Sequence, residues 1–263
     1  MEENILQKLA AHARERVEEK KRAEPTERIR ERALAMGGET GFPFEKALRG
    51  PKLAFICECK RASPSRGLLA PDFPYVALAR EYEAAGAAAV SVLTEPKWFL
   101  GRDECLREIS EAVALPCLRK DFVVEEYMLY ESKTLGAAAV LLICTLLDEE
   151  RLRRYIKICD ELGLSALVEA HDEAELQTAV RAGARVIGVN NRDLKDFSVD
   201  LGNSRRLCAL APAETIFVAE SGIRTAADVA ALRACGADAV LVGEAMVCAP
   251  DKAAKLWELR GAL

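Results

Sequence analysis

Apolar runs along this chain end on residues able to do chemistry. Leu53 to Cys57 runs into Glu58, Cys59 and Lys60, and Leu115 to Leu118 into Arg119, Lys120 and Asp121. Leu164 to Val168 ends on Glu169, Val186 to Val189 on Asn190, Asn191 and Arg192, and Ile216 to Ala219 on Glu220 and Ser221. Ala239 to Val242 reaches Gly243 and Glu244. Short unbroken apolar runs suit parallel strands covered on both faces. A charge at the end of such a run sits where the strand leaves the core, and in α/β folds that carboxyl edge carries the ligand site.

A second pattern supplies the beat. Gly-Ala followed by a β-branched residue recurs at Gly86, Gly136, Gly183 and Gly236, about fifty residues apart, or two βα units. Each glycine suits the left-handed end of a helix, and the residues behind it start a strand. Further strands fall between them at 53–59, 115–119, 164–169 and 215–219. Helical patterns occupy 74–85, 102–113, 125–135, 148–162, 172–182, 202–210, 225–234 and 250–260, with Asp148 and Thr225 as N-caps and Asp228 in the first turn of its helix. Eight alternating units predict an α/β fold of the (β/α)8 TIM-barrel class over residues 51–263. Residues 1–50 form an N-terminal helical extension, with one helix from Glu3 to Glu24, a second from Thr26 to Met36 and a break at Gly37-Gly38. It is either a solvated layer on the barrel or a closure for part of its mouth. No linker divides the chain, so extension and barrel are expected to act as one unit, and no Gly-x-Gly-x-x-Gly follows a strand.

Side chains alternate along a strand. Glu58 and Lys60 therefore share one face with Ile56, while Cys57 and Cys59 share the other. If the first pair points inward, the barrel mouth collects Glu58, Lys60, Lys120, Glu169 and Asn190. These charges either plug the barrel as ion pairs or form a site, and buried pairs contribute little net stability. The stretch from Arg61 to Pro74 is long and rich in Ser, Pro and Gly, which favours a substrate-covering loop over a passive link. Ser221-Gly222 and Gly243-Glu244 fall after the seventh and eighth strands, where such barrels hold phosphate. Small residues there admit backbone N–H groups to an anion, although structural glycines would explain either pair alone.

Composition narrows the options. A net charge of −5 and a pI near 5.4 argue against nucleic acid as partner. The nine cysteines lack staple-like spacing, and those within apolar runs (Cys57, Cys144, Cys208, Cys235, Cys248) read as reduced, buried thiols. Only His12 and His171 offer imidazole, too few for a histidine–carboxylate metal cluster, so no metal is expected. The charged N-terminus has no signal-like apolar stretch, and Leu135 to Leu147 is too short to span a bilayer. A cytoplasmic protein without membrane contact is expected. A monomer is admissible, the oligomeric state being left open.

Taken together, the strand ends resemble the indole-3-glycerol phosphate synthase family. The resemblance rests on Glu58-Cys59-Lys60-Arg61-Ala62-Ser63-Pro64-Ser65, Ser91-Val92-Leu93-Thr94-Glu95 and Arg119-Lys120-Asp121-Phe122. It continues through Leu167-Val168-Glu169, Asn190-Asn191-Arg192-Asp193-Leu194, Ala219-Glu220-Ser221-Gly222-Ile223 and Leu241-Val242-Gly243-Glu244. Cys59, where an aromatic residue is frequent, and Trp98 are departures that touch no proton-transfer group.

The resemblance implies a cofactor-free, decarboxylating, ring-closing lyase of tryptophan biosynthesis. Its substrate would be the phosphorylated small molecule 1-(2-carboxyphenylamino)-1-deoxyribulose 5-phosphate, and its products indole-3-glycerol phosphate, CO2 and water. It further implies Lys120 as general acid at ring closure and Glu169 as the group moving protons in dehydration. Lys60 would contact substrate and serve as a second acid, the two lysine roles being interchangeable at this stage. Glu58 would position a lysine and Asn190 the intermediate. Ser63 and Arg192 would anchor polar ends, with Ser221, Gly222, Gly243 and the Glu244 backbone around the phosphate. The rivals are another phosphosugar barrel enzyme, such as phosphoribosylanthranilate isomerase or a Schiff-base aldolase, and a non-catalytic phosphate-binding barrel. The isomerase needs a cysteine–aspartate pair facing the mouth, the aldolase a neutral lysine. A non-catalytic barrel would lack Lys120 or Glu169.

Overall fold

In the computed structural model, which describes residues 5–193 and 197–261, eight parallel strands close into a barrel. They are β1 (Ala54–Cys59), β2 (Ala89–Leu93), β3 (Cys117–Lys120), β4 (Ala139–Ile143), β5 (Ser165–Ala170), β6 (Val186–Asn190), β7 (Ile216–Glu220) and β8 (Ala239–Val242). Each pairs with its sequence neighbours, and β8 returns to β1 with Ala54 beside Ala239 and Cys57 beside Val242. This is the (β/α)8 barrel that the strand beat predicts. All four Gly-Ala glycines take the left-handed conformation, with φ of 83° at Gly86 and Gly136, 89° at Gly183 and 99° at Gly236.

The outer helices are α4 (Tyr75–Ala84), α5 (Asp103–Ala112), α6 (Tyr127–Thr134), α7 (Glu149–Leu162), α8 (Glu173–Ala182), α9 (Gly202–Cys208), α10 (Ala226–Ala234) and α12 (Lys252–Arg260). Asp148 caps α7, and Thr225 with Asp228 forms a capping box on α10, each satisfying backbone donors that the first turn leaves free. Two short helices have no counterpart among the sequence expectations. One is α3 (Pro43–Leu48), which buries Phe44 and Leu48 and bonds Glu45 to Ser165 and Arg185 at the amino ends of β5 and β6. The other is α11 (Glu244–Val247), directly after β8. One expectation is overturned: Cys248, which follows this single turn, is exposed, and Cys144 after β4 and Cys235 at the end of α10 are only half-buried. An apolar run that turns into a single helical turn no longer buries every residue.

Ahead of the barrel run α1 (Ile5–Ala23) and α2 (Thr26–Ala35); the expected start at Glu3 lies outside the described residues. α1 turns Leu6, Leu9, Ala10, Ala13 and Val17 inward and lays a polar row across the loops after β2 and β3. His12 meets Glu95 at 3.2 Å, Arg16 grips Asp121 through two bonds of 2.7 and 3.1 Å, and Lys20 reaches Asp103 and Glu131. No helix among the described residues is long and apolar enough to cross a membrane.

The Arg16 contact sets a pH-dependent prediction. Burial opposes the charge on Asp121, but Arg16, Arg119 and Thr94 hold its pKa down at about 2. Relative to an unfolded aspartate near 3.9, that depression is worth about 2 kcal/mol. The contribution is fully present above the unfolded value and is lost as pH falls through the folded one. Because Arg119 and Thr94 remain, Arg16→Met should cost part of that, about 1 kcal/mol at pH 7 in urea unfolding, a gap that narrows as pH approaches 2. A constant gap across that range would remove the ion pair as its cause.

Candidate active site

The carboxyl ends of the strands deliver the site. Lys120 closes β3, Glu169 is the fifth residue of β5 and Glu220 closes β7; the three meet inside the barrel mouth. Lys120 Nζ lies 3.3 Å from Glu169 Oε2 and 3.3 Å from Glu220 Oε2, with both carboxylates only 2% exposed. Burial works against the ammonium, but Glu220, Glu169 and Glu58 outweigh it and raise the Lys120 pKa. The carboxyls divide. Burial pushes Glu220 up to about 7, against the pull of Lys120, with Glu169 and Glu58 adding to the rise. Glu169 is also buried, yet Lys120, His171 and a bond from Asn190 hold it ionised, below its usual range. One lysine thus sits between an anion and an acid poised near neutrality, a pairing suited to proton transfer at pH 7.

Glu58 and Lys60 form an ion pair of 2.5 Å on the inward face of β1. Cys57 and Cys59 point outward, as alternation requires. Cys59 packs near Cys105 of α5 and Cys117 of β3, and burial pushes the Cys57 thiol up to about 12 and that of Cys59 well above its usual value. Such thiols are unreactive. Cys59→Ala is expected to keep kcat within about twofold while costing ~1 kcal/mol in thermal unfolding. A folded but inactive variant would reverse the face assignment.

One cavity is lined by Glu58, Ser63, Lys120, Glu169, Asn190, Arg192 and Ser221. Its apolar wall comes from Leu93, Phe99, Phe122, Leu141 and Ile143, with Ile5 and Leu9 of α1, so the extension does reach the mouth. An adjoining cavity is lined by Gly222, Gly243, Glu244 and Lys255, and shares Arg192 and Ser221 with the first. Lys60 belongs to neither lining and sits with Glu58 beside Gly243. Asn190 bonds the Arg192 backbone N–H at 3.0 Å, and the Arg192 guanidinium donates to the Phe197 carbonyl at 3.2 Å. Asn191 donates to the Ser221 carbonyl at 3.2 Å, joining the ends of β6 and β7. Leu194, at the end of the quoted Asn190 motif, lies outside the described residues. The long loop after β1 pairs Ala62–Ser63 with Gly67–Leu68 in a small antiparallel hairpin, and Arg66 on it bonds Glu244 at 2.5 Å. The contact links the loop to the start of α11, and Ser63, Pro64 and Ser65 of the loop line the cavity.

Glu220 is the site residue that the candidate set lacks. It ends its strand as visibly as Glu169, and the mid-strand Gly188 is a second sign: a Cβ there would stand 2.1 Å from Glu220 Oε1. Mid-strand glycine marks such close approach.

A family profile described as indole-3-glycerol phosphate synthase matches residues 6–259. The chain belongs to that family. It is 52% identical to the indole-3-glycerol phosphate synthase of Ruminiclostridium cellulolyticum over 98% of this chain and 99% of the relative. It is 46% identical to that of Lachnoclostridium phytofermentans over 98% of this chain and all of the relative. Among solved structures, 3-hexulose-6-phosphate synthase aligns with a TM-score of 0.65 at 16% identity, covering 79% of this chain and 98% of that one. Thiamine phosphate pyrophosphorylase from Pyrococcus furiosus aligns with a TM-score of 0.59 at 18% identity, covering 79% and 93%. Those two likenesses establish the barrel alone. Lys120, Glu169 and Glu220 are brought together at the carboxyl ends of three strands of this barrel.

Proposed function

We propose that the chain acts as indole-3-glycerol phosphate synthase through its own strand-end residues: Lys120 as acid, Glu169 as base, and the Ser221–Gly243 corner as phosphate seat. The reaction turns 1-(2-carboxyphenylamino)-1-deoxyribulose 5-phosphate into indole-3-glycerol phosphate, CO2 and water. The ring carbon bearing the carboxylate attacks the ribulose carbonyl, whose oxygen takes a proton from Lys120. CO2 departs and leaves its electron pair to the ring. The new hydroxyl then leaves as water while a neighbouring carbon gives its hydrogen to Glu169. Lys60, held by Glu58, protonates that hydroxyl. Asn190 orients the intermediate, and Ser63 and Arg192 hold the substrate's polar ends, Arg192 as a fork on a carboxylate. The apolar wall of Phe99, Phe122 and Leu141 takes the aromatic ring. The observation that carries this reading is Lys120 Nζ at 3.3 Å from each of two buried carboxylates.

All these residues come from one chain, so a monomer suffices, and Ile5 and Leu9 of α1 at the mouth support a reading in which the extension and the barrel work as one unit. The enzyme works in the cytoplasm. Turnover of the substrate with appearance of indole fluorescence tests the activity; folded protein that leaves the substrate intact refutes it.

Gly243 carries a further prediction. A Cβ on it would stand 2.3 Å from Glu58 Oε1 and 2.8 Å from Lys60 Nζ. Gly243→Val should therefore damage kcat by displacing that pair, as well as raising KM at the phosphate corner, each by at least about tenfold. Unchanged kcat and KM would remove Gly243 from the site.

A further inference from the structure

The connection between β2 and α5 carries Phe99 into the wall of the main cavity, yet it contains neither helix nor strand to fix it there. Pro96 and Lys97 are exposed, and Trp98 and Phe99 half-buried. Backbone N–H groups in such a segment need partners. Here three in a row find one side chain. Glu95, the second residue beyond β2, is 0% exposed. Its Oε1 accepts from the Lys97 N–H at 3.0 Å, and its Oε2 from the Trp98 and Phe99 N–H groups at 2.7 and 3.0 Å.

Glu95 is itself held from two other sides. His12 of α1 brings its Nδ1 to 3.2 Å from Oε1 and sets its ring edge-on to Trp98, with 5.5 Å between centroids. The Glu95 carbonyl accepts from the Gly101 N–H at 2.8 Å. That bond folds the segment back on its strand, so closely that a Cβ on Gly101 would stand 2.2 Å from the Leu93 carbonyl oxygen. Phe99 passes the constraint on. Its ring lies 6.1 Å from that of Phe122, and its carbonyl accepts from the Ala62 N–H at 3.2 Å. Ala62 precedes Ser63, which lines the same cavity from the long loop after β1. One buried carboxylate thus fixes Phe99 and, through the Phe99 peptide, the start of that loop.

We propose that Glu95 is a positioning residue for the substrate's aromatic ring, acting by holding Phe99 against it. Glu95 does not line the cavity and touches no reacting atom. The role rests on the reading that the apolar wall takes the ring. Ring closure brings the carbon that bears the carboxylate against the ribulose carbonyl, so its geometry depends on the depth and tilt at which the ring sits. A wall residue whose backbone is tied down is ready before substrate arrives, whereas an untied segment must be ordered at the expense of binding. Loss of the Glu95 carboxylate therefore weakens the hold on the ring and misaligns the attack. The phosphate corner, at the ends of β7 and β8, lies on other segments and keeps its affinity.

The test compares two competitive ligands in Glu95→Ala. One is the substrate reduced to the alcohol at its carbonyl, which carries the ring; the other is ribulose 5-phosphate, which lacks it. The expected result is an affinity for the ring-bearing ligand weakened at least about tenfold and a kcat lowered about 10–100-fold. Affinity for ribulose 5-phosphate should stay within about twofold, with an unchanged circular dichroism spectrum. A merely structural role would lower the urea midpoint and leave the two affinities of the folded protein in their wild-type ratio. That ratio, unchanged in folded Glu95→Ala, overturns the proposal. If Glu95→Ala does not fold, Glu95→Asp decides, because its shorter side chain keeps the carboxylate but does not reach all three N–H groups; a wild-type ratio there overturns the proposal too. Phe99→Ala separates the proposal from the reading beneath it. If it binds the ring-bearing ligand as tightly as the wild type, the ring sits elsewhere and both fall. If it loses that affinity while the Glu95 variants keep it, the positioning role alone falls.

Discussion

Lys120→Met is expected to lower kcat by about 10²–10⁴-fold and to leave KM nearly unchanged. Methionine keeps most of the side-chain length but offers no proton to the carbonyl oxygen and no charge to stabilise it as it becomes an alkoxide. The groups proposed to clamp the substrate, Ser63, Arg192 and the Ser221–Gly243 corner, lie in segments other than β3, so ground-state binding should survive and the loss should fall on the transition state. The protein should still fold. Without the ammonium, Glu220 and Glu169 face each other, and the Glu220 pKa rises from about 7, so it takes a proton and relieves the repulsion. Lys120→Arg should rescue poorly, because a guanidinium is too weak an acid and its planar fork does not fit a site built around a point charge. If Lys120→Met raised only KM while Lys60→Met abolished turnover, the two lysine roles would be exchanged.

Arg119, one residue earlier, should fail in a different way. Alternation turns it out of the barrel, and it is 1% exposed beneath α5 and α6. Its guanidinium meets Asp103 and Glu131 at 2.8 Å each, Thr94 and Ser132 at 3.2 Å, and the Met128 carbonyl at 3.3 Å. Arg119→Met takes the buried guanidinium from Asp103 and Glu131, which keep only Lys20 as a cation, and removes its bonds to Thr94, Ser132 and the Met128 carbonyl, at a cost of about 3–5 kcal/mol, or on the order of 10 °C in the unfolding midpoint. Because Lys20 also reaches Asp103 and Glu131, the loss should loosen α1 as well. The fraction that stays folded should keep most of its kcat. A midpoint within a degree or two of the wild type would show that the cluster does not hold this side of the barrel.

Much of this was legible along the chain because the barrel repeats one physical pattern. A buried strand must end where polar groups become tolerable, so Glu58, Lys120, Glu169 and Asn190 each announced an edge. Period-two alternation then sorted Lys120 from Arg119 and Glu58 from Cys59. What remained hidden depends on closure of the barrel. Nothing local to Glu220 says that it reaches Lys120 across the mouth, and only the missing side chain at Gly188 hints at the space it occupies. The contacts of α1 are likewise long-range, joining Arg16 to Asp121 and His12 to Glu95. Cys248 misled because an apolar run does not disclose whether it continues as a strand or turns into a short helix.

The most direct measurement uses substrate labelled with ¹³C in its ring carboxylate, following ¹³CO2 and the indole product together in a single turnover. Wild-type protein should release one labelled CO2 for each indole formed, Lys120→Met should slow both in parallel, and borohydride should trap no adduct on Lys120. Product formed without labelled CO2, or a reduced imine at Lys120, would contradict decarboxylating ring closure with this lysine as the acid.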